Sequence, residues 1–209
     1  MRVISGSARG RLLRAPKSGT TRPTADRVKE ALFSMVESLL LNGRPEADVG
    51  TPELWHGLRV LDLYAGTGAL GIEALSRGAA HATFVEGDRA AVSAIEANLA
   101  ATGLAPRAAV RLGDAATLVA RLVDPVDLVF MDPPYADVEA VAVAERVADA
   151  SWVALDTILC LEHSGRLAAP DKLGTLRRQR ERRYGETVLT LYARGAYLRP
   201  EARDGQGVD

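Results

Sequence analysis

Residues 62–71 read DLYAGTGALG, and this stretch decides the fold. The apolar residues before it predict a buried strand, and the spacing of the apolar residues after it predicts a helix. Between the two, glycines recur in the pattern G-x-G-x-x-G, which permits a tight turn and lets a ligand approach the backbone closely. A strand that runs through such a turn into a helix is typical of nucleotide-binding α/β proteins. The three glycines are Gly66, Gly68 and Gly71.

The same alternation continues along the chain after this turn. Each of four predicted strands is followed by a predicted helix, and a fifth strand comes after them. Repeated strand–helix units argue for a parallel sheet that is covered by helices on both faces. The five strands are predicted at residues 58–64, 81–88, 107–114, 126–132 and 156–164.

Two more strands are predicted near the end of the chain, in the segments LRRQRERRYG and ETVLTLYAR. They form a hairpin that turns at Tyr184-Gly185 and lies at the edge of the sheet. We therefore predict an α/β, Rossmann-like fold with a doubly wound, mainly parallel seven-stranded sheet. Its C-terminal strand is antiparallel, and a small N-terminal extension precedes the sheet.

Acidic residues stand at the ends of the first three predicted strands, where open α/β sheets bind ligands. Glu86 suits ribose hydroxyls and Asp114 suits an adenine amine, so NAD and S-adenosylmethionine (SAM) both fit. Asp62 favours SAM, because its carboxylate repels a pyrophosphate and attracts the ammonium and sulfonium groups of SAM. The residues predicted to contact SAM are Asp62, Tyr64, Gly66, Gly68, Glu86 and Asp114.

A second motif, Asp132-Pro133-Pro134-Tyr135, ends the fourth predicted strand. The prolines fix the backbone and remove two N–H donors, which leaves a stiff loop whose oxygens can accept hydrogen bonds from an exocyclic amine. Tyr135 can stack on the flat face of a base that carries such an amine. The plainer interpretation is a turn with a packed tyrosine. Because the motif follows a glycine loop of this kind, we predict that residues 132–135 are the catalytic loop.

With both motifs the sequence resembles the amino-methyltransferases, which methylate exocyclic nitrogens of bases or the amide of glutamine. From about residue 2 to about residue 194 it most closely resembles the RsmD family of 16S rRNA guanine-N2 methyltransferases. The segment RPTADRVKEALF is the most specific to that family. The matching segments are ISGSARGRLL (4–13), RPTADRVKEALF (22–33), DLYAGTGALGIEALSRGA (62–79), VEGDRAA (85–91) and DPPY (132–135).

The resemblance implies a SAM-dependent methyltransferase that acts on the N2 of a guanine in 16S rRNA, either free or within the assembled small subunit. It implies that residues 132–135 hold the target base and aim its amine for in-line methyl transfer. The expected organisation is an RNA-contacting extension and helix (1–40), a methyltransferase domain (41–195) and a disordered tail (196–209). A monomer is expected.

The charge distribution supports an RNA partner, although the net charge is only −1. Residues 1–30 carry a net charge of +6 and residues 177–183, RRQRERR, a net charge of +4, so the rest of the chain carries −11. Local basic clusters attract phosphate even when the total charge is near zero. We expect the first cluster to grip RNA without being needed by the core fold. Its predicted RNA contacts are Arg9, Arg11, Arg14, Arg22, Thr24, Arg27 and Lys29.

Composition bears on three further properties of the chain, namely disulfide bonds, cellular location and metal binding. Cys160 is the only cysteine, so the chain cannot form an intrachain disulfide. No apolar stretch is long enough to span a membrane, and the first residues lack the apolar core of a signal peptide, so a cytoplasmic protein is expected. The three histidines show no metal-ligand spacing, so no metal is predicted.

Three alternatives remain open. The motifs at residues 62–71 and 132–135 fit an enzyme that methylates adenine N6 of DNA or a protein glutamine equally well, whereas residues 2–30 do not. A non-catalytic RNA-binding assembly factor would keep the fold and lose the glycine loop or Asp132, and neither is lost. An NAD dehydrogenase is the weakest alternative, because no acid–base pair for hydride transfer is apparent.

Overall fold

A computed structural model describes residues 1–15, 26–43, 47–134 and 140–194 of the chain. The α-helices are α1 (Asp26–Gly43), α2 (Pro52–Trp55), α3 (Ala69–Arg77), α4 (Arg89–Thr102), α5 (Ala115–Val119) and α6 (Ala140–Ala148). The strands are β1 (Arg59–Leu63), β2 (His81–Glu86), β3 (Ala108–Leu112), β4 (Val126–Met131), β5 (Val153–Ser164), β6 (Lys172–Leu173), β7 (Leu176–Tyr184) and β8 (Thr187–Ala193).

The strands form one sheet in the order β3-β2-β1-β4-β5-β8-β7-β6. Strands β1 to β5 are parallel to one another, and β8, β7 and β6 follow β5 in the sheet, each antiparallel to the strand before it. The predicted fold class is therefore confirmed. The sheet has eight strands instead of the predicted seven, because Lys172–Leu173 pairs with the start of β7. A two-residue strand is too short to show a period in the sequence.

Each face of the sheet packs against its own set of helices. Residues of α1, α3 and α4 share a core with one face of the central strands, for example with Phe130 of β4, and we call this the α1 face. Residues of α5 and α6 share a second core with the other face, for example with Met131, and we call this the α6 face. Cys160 lies inside the first core and is only 2% exposed, and its burial raises the pKa of the thiol.

Caps fix where the helices near the carboxyl edge begin. The side chain of Asp88 accepts a hydrogen bond from the Ala90 N–H at 2.7 Å and starts α4. The side chain of Asp114 accepts one from the Thr117 N–H at 2.8 Å and starts α5. Both caps satisfy N–H groups that a first helical turn leaves without partners. The result is that several helices begin at the same edge of the sheet, directly after β2 and β3.

The first fifteen residues, which we call the N-terminal arm, pack against α3. Its apolar residues Val3, Ala8 and Leu13 are buried, and its backbone is hydrogen-bonded to α3 through the Ala8 N–H and Ser76 Oγ at 2.9 Å. This differs from the expectation that the core fold does not require the arm. The reason is that the basic side chains of this segment alternate with apolar ones that the core takes up.

Close packing at Gly6 shows how tightly the arm fits. A β-carbon added at this glycine would lie 1.9 Å from the backbone oxygen of Ser76, far inside van der Waals contact, and the φ angle of +80° already disfavours other residues.

Of the described helices, none is long and apolar enough to pass through a membrane.

Candidate active site

The glycine loop joins β1 to α3 and is held by Glu86 at the end of β2. The Gly66 N–H donates a hydrogen bond to Glu86 Oε2 at 2.8 Å, and Gly66 itself has a φ of +55°. Gly68 adopts a φ of +75° and starts α3. These positive angles are disfavoured for residues with a β-carbon, which explains both glycines. The glycines therefore allow the tight turn by which β1 enters α3 at the carboxyl edge of the sheet.

Gly71 permits helix α3 to pack closely against strand β2. A β-carbon at this position would lie 2.3 Å from the ring of Phe84, so only glycine lets α3 pack this closely on β2. The Gly71 N–H in turn donates to Asp62 Oδ2 at 2.8 Å. The third glycine of the motif thus brings the first turn of α3 within hydrogen-bonding distance of a strand carboxylate.

Tyr64 follows β1 directly and has a φ of +58°; among the described residues other than glycine, it alone has a positive φ. For a bulky residue this conformation costs roughly 1–2 kcal/mol. Such strain persists only where surrounding structure enforces it, and it occurs frequently at functional sites. Its place beside the glycine loop fits the predicted contact with the cofactor, which stays a prediction.

Asp62 is a buried carboxylate with unusual surroundings. It is only 1% exposed. Burial raises its pKa well above the ordinary value, the Gly71 N–H offsets part of that rise, and the charges of Asp132 and Glu86 raise it further. Asp132 and Glu86 are therefore close enough to Asp62 for their charges to disfavour its ionised form. We call Asp62, Glu86 and Asp132 the carboxylate cluster.

Asp132 owes its place in the cluster to the pairing of β4 with β1. Leu63 is opposite Met131, so the residues that follow each strand come out side by side at the carboxyl edge. Pro133 is buried and Pro134 is exposed, so the loop begins anchored and turns outward. Tyr135 lies outside the described residues. Three of the four predicted catalytic residues are thus placed at the edge that carries the glycine loop.

Glu86 and Asp114, the predicted ribose and adenine ligands, both bind backbone in this structure. Glu86 accepts from Gly66 with one oxygen and from the Asp88 N–H with the other, at 2.8 Å each. Asp114 is exposed and caps α5. An ionised carboxylate has about four acceptor sites, so each can accept further hydrogen bonds. The two strand ends are adjacent, since Gly113 donates its N–H to the Glu86 carbonyl at 2.9 Å.

The predicted RNA-contacting residues fall into three groups. Arg9, Arg11, Arg14 and Arg27 are exposed, as a phosphate contact requires. Arg22 and Thr24 lie outside the described residues.

The third group is Lys29, for which the prediction is wrong. Its side chain is 0% exposed, its ammonium is 3.1 Å from Glu73 Oε2, and it donates to the carbonyl of Arg2 at 2.6 Å. Burial lowers the pKa of Lys29, against the opposing effect of Glu73. Lys29 therefore ties α1 to the arm and has no surface to offer RNA.

Sequence reasoning missed the buried network to which Lys29 belongs. Glu73 accepts hydrogen bonds from the Ile4 N–H at 2.7 Å and the Ser5 N–H at 2.9 Å, and from Arg77 Nε at 3.0 Å. Arg77 continues to Glu37 at 2.8 Å. The available signal was α3 itself, which is apolar or small around most of its circumference and so predicts a helix covered on all sides.

Glu162 is a second residue at this edge of the sheet that sequence reasoning missed. It lies near the carboxyl end of β5, where Met131 pairs with Leu161, so it comes directly beside Asp132 in the next strand. It is 7% exposed. The signal was the same one that identified Asp132, namely an acidic residue at a predicted strand end. Within the described ranges, no three His, Cys, Asp or Glu side chains are grouped so that they could hold a metal ion.

Comparisons with known proteins agree with this geometry. The model of the family described as conserved hypothetical protein 95 matches residues 1–193. YlbH of Bacillus subtilis, described as a putative rRNA methyltransferase, is 35% identical over 195 residues, covering 92% of this chain and 98% of YlbH. Ribosomal RNA small subunit methyltransferase D of Escherichia coli K12 is 34% identical over 196 residues, covering 94% and 91%.

A solved structure shares the fold along nearly its whole length. A hypothetical protein of Thermus thermophilus is 30% identical, with a TM-score of 0.73 over 93% of this chain and 99% of that protein. The match to the family extends over the arm, the glycine loop and the Asp132 loop alike. The chain therefore belongs to the conserved hypothetical protein 95 family, and the resemblance to the RsmD family that its motifs indicated is confirmed.

Proposed function

We propose that this chain transfers a methyl group from SAM to the exocyclic N2 of a guanine in 16S rRNA. The observation that carries the proposal is the juxtaposition of the glycine loop and the Asp132 loop at one edge of the sheet, with the carboxylate cluster between them. A buried carboxyl with two further carboxylates nearby is stabilised in its ionised form by a cation, and a phosphate placed there is repelled. SAM brings cations to this edge, and NAD brings a pyrophosphate.

The residues present fit SAM in two further respects. Glu86 accepts two backbone hydrogen bonds and keeps acceptor sites for ribose hydroxyls. Asp114 at the adjacent strand end offers an acceptor for an amine of the adenine ring. When bound, SAM supplies a methyl group that is activated by a sulfonium charge.

The chemistry asked of the protein is positioning. The lone pair of a guanine amine is conjugated with its ring, so the nitrogen is a poor nucleophile. Asp132 would accept a hydrogen bond from that amine, as would the carbonyl of Pro133, and these bonds localise the lone pair and aim it. Asp132 then stabilises the positive charge that develops on the nitrogen. The proline ring at Pro133 restrains the backbone of Asp132 and so holds this geometry.

The choice of substrate rests on the relatives. Those of Escherichia coli and Haemophilus influenzae, the latter 30% identical, are named as methyltransferases of small-subunit ribosomal RNA. Exposed arginines on the arm supply the positive surface that an RNA substrate needs. The names of the relatives favour rRNA over DNA adenine, and both observations favour a nucleic acid over protein glutamine. The guanine must be unpaired or flipped to reach the loop.

The test is methyl transfer from labelled SAM to small-subunit particles and to free 16S rRNA, both from cells that lack the gene. Mass mapping of the modified nucleotide should find one methylated guanine N2. Asp132→Ala should abolish transfer while SAM affinity, measured by calorimetry, stays within a few-fold. Label on adenine or on a ribosomal protein would overturn the proposed substrate, and tight NAD binding without SAM binding would overturn the proposed cofactor.

A further inference from the structure

The strand β7 carries the second basic cluster of the chain, and its arginines are all exposed. Pairing with β8 tells which face each one occupies, because directly opposed residues lie on the same side of a sheet. Arg177, Arg180 and Arg182 are opposite Ala193, Leu191 and Leu189. Those three belong to the core of the α1 face. We call Arg177, Arg180 and Arg182 the basic stripe.

The arginines of the basic stripe differ from Arg178 and Arg183 on the same strand in the partners of their guanidinium groups. Arg178, on the other face, forms ion pairs with Asp171 and Glu181. Arg183 donates to the carbonyl of Gly185 at 2.8 Å. In the described part of the chain, no ion pair involves a residue of the stripe. Three guanidinium groups therefore stand together on one face without a carboxylate partner there.

The register of the sheet places the stripe relative to the Asp132 loop. Arg182 pairs with Leu189, which pairs with Glu162. Glu162 follows Leu161, the partner of Met131, so the row that contains Arg182 also contains Asp132. Three strand spacings of about 4.8 Å separate them, or about 14 Å. Strand β7 also runs in the same direction as β4, so Arg182 is the member of the stripe closest to the carboxyl edge.

We propose that the basic stripe binds phosphates of the substrate RNA next to the methylated nucleotide. The proposal rests on the proposed function for the identity of the RNA. The arm contacts α3 and α4, which lie over β1 to β3, whereas β7 lies at the opposite end of the sheet. RNA is thus held on both sides of the Asp132 loop, by the arm near the cofactor side and by the stripe near the other side.

A rival explanation is protection of an exposed sheet edge. From Gln179 to Tyr184 no described strand pairs with the outer side of β7, and arginine on an edge strand prevents pairing with another molecule. The two explanations differ in whether the sign of the charge matters. Edge protection needs a charge of either sign, whereas phosphate binding needs a positive one.

The experiment therefore reverses the sign of the charge. The variants are R180E/R182E, R180Q/R182Q and R180K/R182K, with R121E/R146E as a matched control. Arg121 lies in the turn after α5 and Arg146 lies in α6, and both are exposed. Binding to purified 16S rRNA is measured over a series of salt concentrations, together with SAM affinity and the oligomeric state.

We expect R180E/R182E to bind RNA at least about tenfold more weakly, since losing one hydrogen bond between charged groups weakens binding by a factor of this order. The slope of log affinity against log salt should fall by roughly 1.4 to 1.8. R180Q/R182Q should lower the slope similarly, R180K/R182K should restore most of the affinity, and R121E/R146E should behave as wild type. SAM affinity should not change in any of them.

An unchanged salt slope in R180Q/R182Q and R180E/R182E overturns the proposal. Self-association of R180Q/R182Q, with normal RNA binding by its monomer, also overturns the proposal, because it would show that the arginines only protect the sheet edge. Equal loss in R121E/R146E also overturns it, because the effect would then be one of net charge. These outcomes are distinct from a failure of the proposed function, in which wild-type protein would transfer no methyl group to rRNA.

Discussion

Two buried carboxylates within one strand–helix unit show opposite ways of handling a charge. Glu73, on α3, is 0% exposed and is surrounded by donors: the ammonium of Lys29, the guanidinium of Arg77 and two N–H groups of the arm. Asp62, on β1, is 1% exposed and has the Gly71 N–H beside it, with two further carboxylates nearby. The first is neutralised by the protein itself. The second is left short of positive charge, at the edge where we propose that a cationic cofactor binds.

The difference teaches how to separate structural from functional charge in this fold. Removing a compensated buried charge should damage stability, because its partners are left buried and unpaired. Removing an uncompensated one should spare stability and damage binding. Each of the following changes tests one side of this contrast.

The largest effect is expected for Glu73→Gln. The variant keeps the shape of the side chain and removes its charge, which leaves Lys29 buried without its carboxylate and weakens the attachment of the arm. We expect a loss of about 3–5 kcal/mol in the free energy of unfolding, measured by urea denaturation. Glu181→Gln is the control, since Glu181 pairs with Arg178 at the surface and should contribute less than about 1 kcal/mol. If Glu73→Gln lowered the free energy of unfolding no more than the control does, Glu73 would not be the stabilising buried charge described above.

Asp62→Asn should have the next largest effect, and on a different property. Asparagine can still accept the Gly71 hydrogen bond, so the fold should keep its stability. Affinity for SAM should fall about 10- to 100-fold, the usual worth of a hydrogen bond between charged groups. Calorimetry measures the affinity, and urea denaturation at mildly alkaline pH measures the stability. A variant that is destabilised and binds SAM normally would show that Asp62 is structural.

The raised pKa of Asp62 also predicts how pH changes stability. A carboxyl whose pKa is higher in the folded state than in the unfolded state contributes stability at low pH. That contribution is complete below about pH 4 and is lost as the pH rises through the folded-state pKa. The free energy of unfolding of Asp62→Asn, minus that of wild type, should therefore increase from about pH 4 upward and then level off. A flat difference across the pH series would mean that the carboxyl titrates normally.

The smallest effect on stability is expected in the arm, from R9E/R11E/R14E. All three side chains are exposed, so each change should alter the free energy of unfolding by no more than about 0.5 kcal/mol. The salt slope of RNA binding should nevertheless fall by roughly 2. Deletion of residues 1–15 is the contrasting variant, because it strips two N–H donors from Glu73 and should lower the melting temperature clearly. A slope unchanged by R9E/R11E/R14E would remove the arm from the proposed RNA surface.

Much of the fold could be predicted from sequence because its signals are local. Alternating strand and helix patterns indicated the five parallel strands, and the Tyr184-Gly185 turn indicated the hairpin, in which Gly185 has a φ of +63°. The carboxyl edge followed as well, since every parallel strand ends there. Asp62, Glu86 and Asp132 could therefore be grouped from the order of strands and strand ends alone.

The features that sequence reasoning did not predict correctly depend on contacts between segments that are far apart in the sequence. Lys29 was predicted to contact RNA because it belongs to the basic cluster of residues 1–30, whereas its partner Glu73 is 44 positions away with no pattern that connects them. The arm was expected to be dispensable for the core fold because glycine and serine interrupt its basic residues. Its binding to α3 uses mainly backbone N–H groups, which every sequence provides and no pattern reveals. Periodicity reports which side of an element is apolar, and it does not report which distant segment covers that side.

The burial of Cys160 has a practical consequence for measuring how RNA spans this surface. A thiol that is 2% exposed and whose pKa is raised is protonated at neutral pH and hidden from maleimide reagents. Cysteines introduced at Leu12, which is 76% exposed, and at the exposed Glu186 would then be the reactive pair. Dyes attached there would label the arm and the turn between β7 and β8. Their energy transfer would follow the arm and the β7–β8 hairpin while substrate RNA binds between them.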